Sequence, residues 1–256
     1  MKIHITDGKK YLAIFIIFSF FLCATLTALM ALGIWSFRTP EEKEDTEYEE
    51  QSDISPAYDP IVIIDAGHGG EDGGTVGING VLEKDINLSI ALALDKTLRD
   101  MGVTTLLTRD EDILLYDKNS DYKGQKKAQD LAARRRIAEE CECAIFVSIH
   151  MNSFPEEKYK GLQVYYSEND ETSVNLARTI QEQVSKKLQP ENTRQCKIGS
   201  DIYLLQRLSC PAVLVECGFL SNSEECMRLS DPIYQNELAS VLSESILSYI
   251  RTHTPS

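Results

Sequence analysis

The chain is poor in histidine, with four, and in tryptophan, with one. It has seven cysteines but no CxxC pair, and Cys141 and Cys143 stand too close together for a zinc knuckle. The cysteines outside the apolar run therefore read as buried or free thiols, with a disulfide open to them outside the cytoplasm. The sequence also has no basic stripe. Net charge is −14; the stretch 41–53, "EEKEDTEYEEQSD", supplies −7 and residues 1–40 supply +3, which leaves −10 for 54–256. An acidic body of this kind excludes nucleic acid as the main partner. Neither nucleotide fingerprint is present. "GHGGEDGG" followed by Thr75 is not GxGxxG and not GxxxxGK[ST], and no lysine is placed for a phosphate.

One long uncharged run is present. Residues 12–37, "LAIFIIFSFFLCATLTALMALGIWSF", carry no charge and are long enough for a membrane-spanning helix. Lys2, Lys9 and Lys10 precede it and acids follow, so the positive-inside rule expects 1–11 in the cytoplasm and the body outside, as a single-pass protein of the cell membrane. Ala31-Leu32-Gly33 is the alternative, a signal cleavage site. Residues 38–59 read as a solvated acidic linker and 60–253 as the folded domain.

From Pro60 onward, apolar runs alternate with helical periodicity. Strands are expected at 61–65, 103–108, 144–150, 162–167 and 212–219, and helices at 83–101, 127–140, 172–188 and 232–250. The expected fold is α/β, a twisted and mostly parallel sheet with helices on both faces, preceded by one transmembrane helix. Ligands of such sheets sit beyond the carboxyl ends of the strands. The long break at 109–126 falls at that edge, as a binding lip or a solvated excursion.

Only His68 and His150 fall within the domain body, and each emerges at a strand end. They are either a pair of metal ligands or ordinary half-buried histidines. Glu83, at the start of the first helix, is either a third ligand or an acid favoured by the helix dipole. Two histidines and a glutamate form a known catalytic zinc set with one position open. Glu216 ends the apolar run "AVLVE", where a carboxylate is costly to bury, and is the candidate general base. Asp65 or Asp72 could orient an imidazole. Ser148 and Asn152 flank His150. Arg109 and Arg134, Arg135 and Arg136 are packing residues or carboxylate binders. The glycines around His68 are expected to let the backbone turn and pass close to a metal.

In order along the chain, "IDAGHGGEDGG", "LEKDINL", "LLTRDED", "LAARRRIA", "FVSIHMNS", "GLQVYYS" and "VLVECGFLSN" resemble the zinc-dependent N-acetylmuramoyl-L-alanine amidases, over about residues 61–250. The resemblance implies Zn²⁺ held by His68, Glu83 and His150, with Glu216 catalytic. It implies peptidoglycan as substrate, cleaved between the muramic acid lactyl group and L-alanine. "KGQKKAQDLAARRR" and "IYLLQRLSCPAVLVECGFLSN" look like the short spore-cortex (CwlD-like) subgroup. That implies a membrane segment joined directly to the enzyme and a part in muramic-δ-lactam formation. The sequence shows no separate wall-binding repeat, so localisation is expected to rest on the membrane anchor or on an activating or targeting protein partner. The acidic spacer and Cys141, Cys143 and Cys210 depart from the pattern. Rival readings are another zinc amidohydrolase of peptidoglycan, a peptidase or deacetylase, or a non-catalytic wall-binding regulator.

Overall fold

The computed structural model describes residues 60–117, 124–141 and 144–253. The expected segment 1–11, the span 12–37 and the linker 38–59 lie outside the described residues, as does part of the long break after the second strand. Among the described residues no helix is long and apolar enough to cross a membrane.

The strands are β1 (Ile61–Ala66), β2 (Thr105–Leu107), β3 (Ala144–Asn152), β4 (Gln163–Tyr166), β5 (Lys197–Ile198) and β6 (Ala212–Phe219). The helices are α1 (Glu83–Asp100), α2 (Lys126–Glu139), α3 (Ser173–Lys187), α4 (Tyr203–Arg207), α5 (Ser223–Ser230) and α6 (Pro232–His253). Sheet order is β2-β1-β3-β6-β4-β5.

β1, β2, β3 and β6 are mutually parallel, as expected. β4 runs antiparallel to β6, and β5 is parallel to β4. The reversal follows from the connection. Residues 153–162, "SFPEEKYKGL", carry no helix, and a parallel return needs a longer crossover. The fifth strand and the fourth and fifth helices were not expected. Two, five and eight residues are too short to establish a period.

Strand alternation sorts the core into two layers. Val62, Ile64 and Ala66 of β1 pack with Ile145, Val147 and Ile149 of β3 against α1, α3 and α6. Ile63, Phe146 and Leu214 point the other way, toward Ala138 of α2 and Leu204 and Leu205 of α4. Both faces are thus covered, as a sheet with buried faces requires. α1 shows how this is encoded. Ile86, Ile90, Leu94 and Leu98 recur every four residues and are all buried. The helix closes at Gly102 (φ 84°), whose left-handed backbone lets Val103 N–H return to the Leu98 carbonyl at 2.9 Å. The four parallel strands therefore end at one edge, and α1 starts there.

Candidate metal centre and catalytic site

After β1 the chain makes a sharp turn. His68 has φ 61°, the one non-glycine with positive φ among the described residues, a conformation that costs on the order of 1–3 kcal/mol. The turn aims the His68 imidazole at Glu83, the first residue of α1. His68 Nε2 lies 3.3 Å and His150 Nδ1 3.0 Å from the same Glu83 oxygen, Oε1. The imidazole rings are 5.0 Å apart between centroids and nearly perpendicular. One ligand atom from each of the three residues lies within 4.8 Å of the others, so His68, Glu83 and His150 form a group able to hold a metal ion.

The Glu83 carboxylate is fixed by the backbone as well. Oε2 accepts from Thr75 N–H at 2.8 Å and Oε1 from Met151 N–H at 3.0 Å. Burial alone would push its pKa up. Hydrogen bonds and charge from His150 and His68 outweigh burial and hold it far below the usual carboxylate range. Burial likewise pulls His68 down, but Glu83 and Asp72 together raise it. Two glycines make the approach feasible. A Cβ on Gly67 would come 2.2 Å from His150 Nε2, and one on Gly74 (φ +65°) 2.5 Å from Glu83 Oε2.

Glu216 stands opposite His150 in the β3–β6 register, so both side chains leave the same face of the sheet. Its Oε2 is buried without a hydrogen-bond partner. Burial, helped by the nearby Glu83 charge and opposed by the two histidines, raises its pKa to about 7.

The turn carrying His68 is clamped from below by two arginines. Arg109 donates to the carbonyls of Ala66 (2.9 Å), Gly67 (3.0 Å) and Lys84 (2.9 Å). Arg134 donates to the carbonyls of Ala66 and His68, both at 2.7 Å, and pairs with Asp65 at 2.6 Å and Asp130 at 2.8 Å. Asp65 in turn accepts from Ser148 Oγ at 2.6 Å and Thr108 Oγ1 at 2.7 Å. Burial would raise the Asp65 carboxyl, but the Arg134 charge and these hydrogen bonds lower it.

These contacts settle the open readings. Arg109 and Arg134 are 3% and 1% exposed and bind backbone, so neither is free to take a substrate carboxylate. Arg135 and Arg136 pair with Glu139 and Glu140 along their own helix. Asp65 holds Arg134 and not an imidazole. Asp72 does face His68, with Oδ2 3.0 Å from Nδ1, but off the line of a hydrogen bond, which leaves Nδ1 unsatisfied. Asn152 caps the next amide, Ser153 N–H, at 2.8 Å.

Two residues that the sequence reading passed over belong here. Asn87 donates to the Gly67 carbonyl at 3.1 Å, and Asp130 anchors Arg134. Each sits four residues from a site residue on its helix, Asn87 from Glu83 and Asp130 from Arg134, and that spacing was the available signal. Replacing Arg134 with methionine leaves Asp65 and Asp130 buried without a counter-charge. A loss of about 3–5 kcal/mol in urea unfolding is expected, and an effect below about 1 kcal/mol would contradict the clamp.

The group able to hold a metal and the strand-edge acid share one sheet edge of this α/β fold, an arrangement that suits metal-assisted hydrolysis. Residues 62–248 match the family model described as N-acetylmuramoyl-L-alanine amidase. The germination-specific N-acetylmuramoyl-L-alanine amidase of Bacillus subtilis (strain 168) is 35% identical over 194 residues, 76% of this chain and 81% of that protein. The CwlD amidase from Clostridioides difficile, solved in complex with the GerS lipoprotein, superposes with a TM-score of 0.72 at 38% identity. It covers 75% of this chain and 99% of its own. The amidase AmiC2 of Nostoc punctiforme follows with a TM-score of 0.65 at 31% identity, covering 75% and 98%. The chain belongs to the N-acetylmuramoyl-L-alanine amidase family and is CwlD-like, an amidase of cell-wall remodelling.

Proposed function

We propose that the chain is a zinc-dependent amidase that frees stem peptides from muramic acid, with His68, Glu83 and His150 as ligands and Glu216 as general base and acid. The observation that carries this reading is the convergence of three donors on one edge beside a buried, unpartnered carboxylate. Two imidazoles and a carboxylate suit Zn²⁺, and the set leaves a fourth position for chemistry. Zinc bound there supplies Lewis-acid polarisation of the lactyl carbonyl and lowers the pKa of the attacking water. Glu216 takes the proton from that water and then gives it to the departing alanine nitrogen. A pKa near 7 suits a group that must do both at neutral pH. Its Oε2 has no protein partner to compete for the proton.

The setting proposed is the cell wall or spore cortex, ahead of muramic-δ-lactam formation. Residues 12–37 act as the membrane anchor and 38–59 as the spacer, holding the catalytic domain on the extracytoplasmic side. An extracytoplasmic protein partner is part of the proposal, by likeness to the CwlD amidase solved with GerS.

The test is digestion of peptidoglycan by the purified protein with and without added Zn²⁺, followed by mass analysis. New L-alanine N-termini and free lactyl groups appearing only with metal support the reading. Glucosamine amines would mean a deacetylase, and cleavage within the peptide a peptidase.

A further inference from the structure

Against the strongly negative net charge of the chain, the described residues form a groove with three cations in its lining. It has a volume of about 270 Å³ and is lined by Lys158, Tyr159, Lys160, Glu191, Asn192 and Arg194. Among the described residues none of its three cations lies within 4 Å of a carboxylate. The buried acid nearby, Glu225, already accepts from the amides of Gly161 and Phe219, both at 2.8 Å. Unpaired cations gathered in a groove of an acidic protein attract an anionic group.

The groove is tied to the catalytic edge by sheet register. His150 on β3, Glu216 on β6 and Gln163 on β4 form one row, and residues in one row present their side chains on the same face. Strands are spaced about 4.8 Å apart, so Gln163 stands roughly one strand width from Glu216 and two from His150. Gln163 is 2% exposed, and its Oε1 accepts from Arg194 Nη1 at 3.1 Å. Arg194 Nε donates to the Lys160 carbonyl at 2.7 Å, and the guanidinium lies over the Phe219 ring, 4.6 Å from its centroid. Phe219 stacks on Tyr159, whose ring meets Phe154 edge-on at 4.6 Å, and Tyr159 lines the groove. The guanidinium is thus held flat and pointed, with Nη2 unpartnered among the described residues.

We infer that Arg194 is a specificity residue that binds a free carboxylate of the stem peptide, one residue beyond the alanine on the leaving-group side. The inference rests on the amidase reading above. A chain advances about 3.3–3.6 Å per residue, so a side carboxylate on the residue after alanine falls about 7 Å or more from the cleaved nitrogen. Gln163, which accepts from the guanidinium, is the register neighbour of Glu216, so Arg194 is held on the strand next to the one that carries Glu216. Guanidinium is suited to the task because it takes a carboxylate through fixed, directed donors, and the ring beneath it keeps it oriented. Lys160 and Lys158 add charge at the mouth of the groove.

The probes are N-acetylmuramoyl-L-alanyl-γ-D-glutamyl-L-alaninamide and its α-amide, the isoglutaminyl form, in both of which the γ-carboxyl and the C-terminus are blocked, cleaved by the zinc-loaded full chain. The acid form is expected to be preferred by about tenfold to a hundredfold in kcat/KM, carried mainly by KM. Arg194→Gln should cost the acid substrate at least tenfold more than the amide, and Arg194→Lys should recover part of the preference. Lys160→Gln, at an exposed position, should reduce the preference even if Arg194→Gln fails to fold. A wild-type enzyme indifferent to the carboxylate, or a preference that survives both the Arg194 and Lys160 substitutions, overturns the inference. If neither substrate is cleaved, the amidase reading fails separately. Calorimetric binding of the peptides L-alanyl-γ-D-glutamyl-L-alaninamide and its α-amide then still decides on Arg194.

Discussion

Glu216→Gln should lower turnover by about 10²–10⁴-fold, the range that a positioned proton-transfer group contributes. The amide keeps the shape of the side chain but can neither take nor return the proton. Bound zinc should stay at the wild-type level, because Glu216 is not one of the three converging ligands. A variant that cleaves at the wild-type rate would remove Glu216 from its role. The metal-free protein gives a second readout. The folded carboxyl has its pKa raised from 4.5 to about 7, so between those values the folded state holds a proton that the unfolded state releases. Stability from this group is present at low pH and lost as pH rises through that window. The glutamine variant lacks this slope. Relative to wild type it should gain stability between about pH 5 and about pH 8, by up to roughly 3 kcal/mol. Urea unfolding at the two pH values measures it.

His150→Ala should abolish stoichiometric zinc. Loss of a residue that merely orients a ligand typically costs 10–100-fold in metal affinity, so loss of a ligand should cost more than about 100-fold. Elemental analysis after dialysis reads this directly. Thermal unfolding reads it independently. A metal at about 100 times its dissociation constant adds about 2.7 kcal/mol, and that increment should vanish in the variant. Unchanged zinc content would exclude His150 as a ligand.

Much of the geometry of the candidate site was legible because few residues had to be placed. With His253 at the far end of the last helix, only His68 and His150 stand at the ends of apolar runs, and parallel strands leave them one common edge. Glu216 was visible as a carboxylate interrupting "AVLVECGF". The supporting layer was harder to read. Arg134, Arg135 and Arg136 are chemically identical neighbours, and only the first turns inward. The buried face of α2 is Asp130, Arg134 and Ala138, so its helical period is written in polar residues that a hydrophobic pattern does not register. The direction of β4 was not written locally either. It follows from the short helix-free connection before it, and with it comes the Gln163 row that brings Arg194 near the site.

The arginine clamp beneath His68 has one more consequence. The unfavourable backbone at His68 is held by bonds internal to the protein, from Arg109, Arg134 and Asn87 to three consecutive carbonyls or their neighbours. The ordering of the loop is therefore completed when the domain folds. Ion capture becomes the filling of a ready socket, unlike the small zinc modules whose chain collapses around the ion and unravels without it.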